Sequence, residues 1–198
     1  DCASGEGELQ IKLTSSWKNT IGSDVNDPPS PEVGDIVNGG VVFYLFEDGE
    51  TGYVEGETHG LVVSMSNIAT TTLRWGCYGT DLPNVPNVVT VPPVGLGAEI
   101  GDGISNTNAI LNDCPTAPAA LGARSLGAQW FLPSAKELEK IYDNRTTLEG
   151  VSGFTAFNNV YWSSTEANST QAWHWWFSGP QVEVTKDNSL FVRAVRAF

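Results

Sequence analysis

The sequence predicts an α+β fold of short helices, twisted antiparallel strands and long loops, on three observations. Runs of β-branched and aromatic residues gather at both ends of the chain, the clearest helical period lies between them, and Gly- and Pro-rich stretches separate the two. With 198 residues, 40% hydrophobic content, seven Trp and eight Phe, the chain can bury an ordinary core without a dense disulfide framework. One folded domain over residues 35–198, preceded by a strand segment and a Pro-rich linker over 1–34, is the expected organisation.

The elements follow in order. Leu9-Gln10-Ile11-Lys12-Leu13 alternates as a strand does, and Asn26-Asp27-Pro28-Pro29-Ser30-Pro31 then removes backbone donors and fixes φ, which makes 21–34 a linker. Ile36-Val37, Val41 to Phe46, His59 to Met65 and Thr72 to Trp75 read as strands, the first two split by Gly39-Gly40. Residues 79–103 hold four Pro and five Gly, a composition that sustains neither a helix nor a central strand, so they form a long loop. Ser105 to Leu111 and Thr116 to Leu121 read as short helices. Pro133 to Tyr142 is the surest one: Ser134 and Glu137 make a capping box, and Leu138, Ile141 and Tyr142 share a face. Strands return at Val160 to Ser164, Ala172 to Phe177, Gln181 to Thr185 and Leu190 to Phe198. In the last of these Arg193 and Arg196 fall on opposite faces, which demands a bulge or an exposed end.

Charge and cysteine content limit the partners. Ten basic against 23 acidic residues give −13, which repels nucleic acid and anionic lipid. No stretch approaches the roughly 20 apolar residues of a membrane-spanning helix, so no direct membrane insertion is expected. The chain begins at Asp1 without a basic-then-apolar leader, so no targeting signal is read from it; low charged content (17%) with abundant Gly, Asn, Ser and Thr points to a secreted or cell-surface protein. Of three Cys, Cys77 and Cys114 lie in loop-like sequence and are paired here as a disulfide; the alternative is two reduced thiols. Cys2 is left as a free thiol, an intermolecular partner or a link to another segment.

Eight separated motifs fall into one order: GGVVFYLF at 39–46, HGLVVS at 59–64, WGCYGT at 75–80, NTNAI at 106–110, WFLPSAKELEKIY at 130–142, YWSSTE at 161–166, AWHWWFSG at 172–179 and FVRAVRAF at 191–198. In this order the chain resembles the Legionella collagen-like adhesin C-terminal domains and the Fibrobacter major paralogous domains. The resemblance covers about 35–198 and implies a C-type lectin-like fold, the group that also holds formylglycine-generating enzymes and retroelement-diversified proteins.

That resemblance sharpens the functional reading. The formylglycine-generating enzymes use paired cysteines late in the chain, whereas no Cys follows Cys114 here. His59 and His174 have no partner at metal-ligand spacing, and neither a GxSxG elbow nor a GxxxxGK loop occurs, so no enzyme is expected. Calcium, bound by many C-type lectin-like domains, has candidate ligands in Glu99, Asp102 and Asn106; the simpler reading makes them turn and cap residues. Trp130 and Trp162 are core. Alternation places Trp173, Trp175 and Phe177 on one face of their strand and His174 with Trp176 on the other. The family pattern assigns Trp173 and Phe177 to the core, leaves Trp175 open, and makes His174 and Trp176 exposed. With Asn168, Gln171, Asp187 and Asn188 in the adjoining hairpin loops, these form the expected surface for a glycan or protein ligand. Two other readings stand beside this adhesion module. One is a structural subunit joined to neighbouring subunits by strand addition through residues 9–13. The other is a phage- or retroelement-type receptor-binding protein.

Overall fold

The apolar runs fix the centre of the molecule. In the computed structural model, which describes residues 29–158 and 160–198, Val41, Val42 and Phe43 are all buried, as are Leu61, Val62 and Val63. A sheet covered on both faces has no solvent side to alternate toward, so these strands read as continuous hydrophobic runs. Residues 31–198 form one unit. Its elements are β1 (Ile36–Val37), β2 (Gly40–Leu45), β3 (Gly60–Ser64), β4 (Leu73–Arg74), α1 (Asp102–Asp113), α2 (Pro118–Arg124), α3 (Ala135–Asp143), α4 (Arg145–Glu149), β5 (Val160–Glu166), β6 (Gln171–Trp176), β7 (Gln181–Thr185), β8 (Ser189–Leu190) and β9 (Val195–Ala197). Helices and antiparallel sheets make the fold α+β. The Leu9–Leu13 strand and Cys2 lie outside the described residues.

Among the described residues the strands form three antiparallel sheets, ordered β1-β2-β3-β9, β4-β8 and β5-β6-β7. One face of the first packs Val42 and Val62 against Ile110 of α1, the alanines of α2, Trp75 and Trp162. The other packs Val41, Phe43, Leu61 and Val63 against Leu138 and Ile141 of α3, Leu148 of α4, Tyr161 and Phe177. The disulfide Cys77–Cys114 ties the loop after β4 to the end of α1.

A few polar side chains carry the long loops. The indole N–H groups of Trp75, Trp162 and Trp173 donate to the carbonyls of Ser163, Leu73 and Val88, at 2.7–2.9 Å. Glu137 has zero exposure and receives the Ser134 N–H at 2.8 Å and the Gly101 N–H at 2.9 Å, so one carboxyl caps α3 and braces the start of α1. A Cβ at Gly103 would collide with this carboxyl and with the Phe131 ring, which is why glycine opens α1 there.

Four expectations change in detail. α1 starts three residues earlier than the sequence suggests, because Asp102 takes the N–H groups of Gly97 and Glu99 and stops the loop. α2 begins later, at Pro118, whose fixed φ suits the first helical turn. α4 was not visible: five residues with two adjacent threonines carry no readable period. The expected strand 190–198 is broken at 191–194, and the break turns Arg193 inward. Its guanidinium is fully buried between Phe154 and Phe157, each 4.7 Å away. It donates to Asn67, to the Ser64 carbonyl at 2.8 Å and to the Thr155 carbonyl.

Two measurements test this core. Reducing the disulfide releases its loop constraint and is expected to cost about 3–4 kcal/mol, a fall in Tm of roughly 10 °C by calorimetry. Burial pushes the Glu137 carboxyl from 4.5 up to about 7 against the pull of its backbone donors. A raised folded value makes its contribution complete below the unfolded value and lost as pH rises through about 7. Stability is therefore expected to decline between pH 4.5 and 7 by up to about 3 kcal/mol from this group, and Glu137→Gln to flatten that slope in denaturant titrations.

Candidate functional site

The β6–β7 hairpin sets a row of candidate side chains beside a groove. Pairing of Trp173 with Glu183 and of Trp175 with Gln181 puts those four, with Gln171 and Thr185, on one face. There Trp173 packs on Val88, Ala98, Ala135 and Ala167, while Trp175 stacks on Tyr142 of α3 with centroids 5.1 Å apart. Between this hairpin and the 79–103 loop lies a groove of about 350 Å³ lined by Val91, Gln171, Trp173, Gln181, Val182 and Glu183. Its floor is apolar and its rim carries two side-chain amides and one carboxylate. No basic side chain lines it.

The loop that supplies Val91 to the groove exposes several apolar side chains. Val89, Val91, Val94 and Leu96 are exposed, Val91 by 81%. The ends of this stretch are held firmly: the Val88 N–H donates to the Glu166 carbonyl at 2.8 Å, and the Gly97 carbonyl receives Asn106 and Thr165. Apolar side chains on a pinned loop beside a groove form a contact surface rather than a loose tail.

The predicted residues divide among several roles. Gln171 lines the groove. Trp176 is 46% exposed, on the opposite face of β6 from Trp173. Asn168 braces the turn, its Oδ1 accepting from the N–H groups of Thr170 at 2.9 Å and Gln171 at 3.0 Å. Asp187 and Asn188 are exposed in the β7–β8 turn, and Asp187 borders a separate hollow of about 210 Å³ with Arg74 and Tyr78. His174 is corrected: it is 8% exposed, not a surface residue, because Trp162 of β5 packs its edge against the ring on a face expected to be open. Burial holds its imidazole below the usual range. Trp130, Trp162, Trp173 and Phe177 are core.

Glu166 and Lys186 border the two hairpin turns but point away from solvent. Both are fully buried and form an ion pair beneath Trp75. The three candidate calcium ligands also have other work. Glu99 accepts the Gly95 N–H at 2.5 Å, Asp102 accepts two loop N–H groups, and Asn106 donates to the Gly97 carbonyl at 2.7 Å. Glu99 and Asp102 thus each use one carboxyl oxygen in bracing the loop before α1. Among the described residues no group of three His, Cys, Asp or Glu side chains is placed to hold a metal.

Sequence reasoning missed Val91, Gln181 and Glu183. Alternation and a tight Ser178-Gly179-Pro180 turn would have placed 181 and 183 beside 175 and 173; the contribution of Val91 depends on a loop path that local sequence does not encode.

An α+β domain with a groove at one sheet is the class these features define. No family model and no curated protein matches the chain. Among solved structures it is similar to a fimbrial protein from Bacteroides ovatus ATCC 8483, with a TM-score of 0.51 and 18% identity. The match covers 80% of this chain and 44% of that one, so this chain spans less than half the length of its neighbour. At that identity the likeness concerns the fold.

The two indole environments predict opposite outcomes. Trp173→Ala is expected to cost about 3–5 kcal/mol, whereas Trp176→Ala should change stability by less than about 0.5 kcal/mol, both read from urea midpoints.

Proposed function

We propose that this chain is a surface-displayed adhesion module of the C-type lectin-like group that recognises a neutral glycan in the groove between β6–β7 and the 79–103 loop. The groove's lining carries the reading. Apolar walls from Val91, Trp173 and Val182 suit the C–H faces of a sugar, and Gln171, Gln181 and Glu183 suit its hydroxyls. The carboxylate, the absence of lining cations and the net charge of −13 disfavour sialylated or sulfated ligands. Motif order supports the family assignment, and the fimbrial neighbour supports display in an extracellular assembly. Binding, not catalysis, is the role.

A structural-subunit reading has one observation in its favour: β7 is the outer strand of its sheet, and an outer strand can receive another.

A glycan array probed with the wild type, Glu183→Ala and Trp176→Ala, with and without calcium, separates these. Loss of a charged hydrogen-bond partner in Glu183→Ala should weaken binding about tenfold or more while Trp176→Ala binds normally. Loss in Trp176→Ala alone would move the site to the other sheet face. A silent array for folded wild type would favour the structural subunit, as would a protein ligand engaging β7.

A further inference from the structure

The buried Lys186–Glu166 pair does not serve the groove, and its surroundings are those of a reaction site. Both side chains have zero exposure. The Lys186 Nζ is in direct contact with the Glu166 Oε1, sits 4.8 Å from the centroid of the Trp75 ring and donates to the Thr80 carbonyl at 3.1 Å. The other carboxyl oxygen, Oε2, is buried with no hydrogen bond of good geometry, the Leu82 N–H being the backbone donor nearest the carboxyl.

The backbone on each side is clamped. Glu166 pairs with Ala172 and its carbonyl receives the Val88 N–H; the Lys186 N–H donates to the Thr170 carbonyl and its own carbonyl receives the Trp75 N–H. Both side chains are fully buried, and Lys186 borders the hollow lined by Arg74, Tyr78 and Asp187.

As ions the two are poorly served, because an ammonium and a carboxylate removed from water need every remaining donor and acceptor satisfied, and Oε2 is not. An amide between them carries no charge. Its single N–H would keep the Thr80 carbonyl, and only one neutral oxygen would be left in the dry pocket. From this geometry we infer that Lys186 and Glu166 condense into an intramolecular amide cross-link joining the end of β5 to the turn after β7.

The step balances without a co-reactant. The ammonium passes a proton to the carboxylate, the freed Nζ lone pair attacks Cδ, and the bond from Cδ to the protonated oxygen breaks. That oxygen leaves as water with the second amine proton; one N–C bond forms, one C–O bond breaks and nothing is oxidised or reduced. Burial favours the first step, protonation of the carboxylate, pushing the Glu166 carboxyl up to about 7 against the pull of Lys186 and the Leu82 N–H. Fixed contact supplies the second, because well-oriented intramolecular partners reach effective concentrations of about 10⁵ M or more. The Trp75 ring opposes re-entry of the water that would reverse it.

Intact mass of the purified full chain, reduced and denatured, tests this directly. The wild type should be lighter than its sequence by one water. Tryptic digestion should fail after Lys186 and yield residues 146–193 as one peptide lighter by one water, and a further chymotryptic cut between Glu166 and Lys186 should leave its two parts joined. Lys186→Arg, checked for folding by circular dichroism, should show its full sequence mass. A folded wild type that is mostly at full mass overturns the inference, and so does a deficit that maps elsewhere or persists in Lys186→Arg.

Discussion

With so much of its length in irregular backbone, this protein depends on where buried loop amides and carbonyls find partners. Each unpaired buried group would cost about 1–3 kcal/mol, and short helices and two-residue strands cannot absorb them. Side chains take over that duty. The indoles of Trp75, Trp162 and Trp173 each pin a carbonyl from a different segment, Arg193 gathers two carbonyls and an asparagine, and Glu137 closes two helix starts with one carboxyl. Residue types that elsewhere serve binding or catalysis are scaffold in this fold.

The same economy separates frame from surface. Trp173 shows both at once: its N–H fixes Val88, one side of its ring packs on alanines, and its remaining edge floors the groove. Positions 181 and 183 sit beside it on a strand whose place is set by backbone pairing with β6, so their side chains are free of structural duty to different degrees. Gln181 still donates to the Ala135 carbonyl; Glu183 faces the groove.

Much of this was legible in the sequence and the remainder has identifiable causes. Period and capping located the central strands, the hairpin and α3, because Ser134, Glu137 and the β-branched runs act locally. Pairing of Cys77 with Cys114 followed from their loop settings. What failed were statements about burial of polar residues. His174 looked exposed because alternation sets it opposite Trp173, but a second layer covers that face too. Lys186 looked like a turn residue because its partner, Glu166, lies 20 positions away. The groove was half legible: its hairpin wall follows from strand register, while the loop wall does not.

The pinned loop has an evolutionary consequence. With Val88 and Gly97 anchored to β5, β6 and α1, the segment between them can change length or composition without altering the frame, since each doubling of a flexible loop adds only about 0.6 kcal/mol of closure entropy. One wall of the groove is therefore replaceable. Descendants of this domain could acquire new ligands by insertion there, leaving every buried tryptophan where it stands.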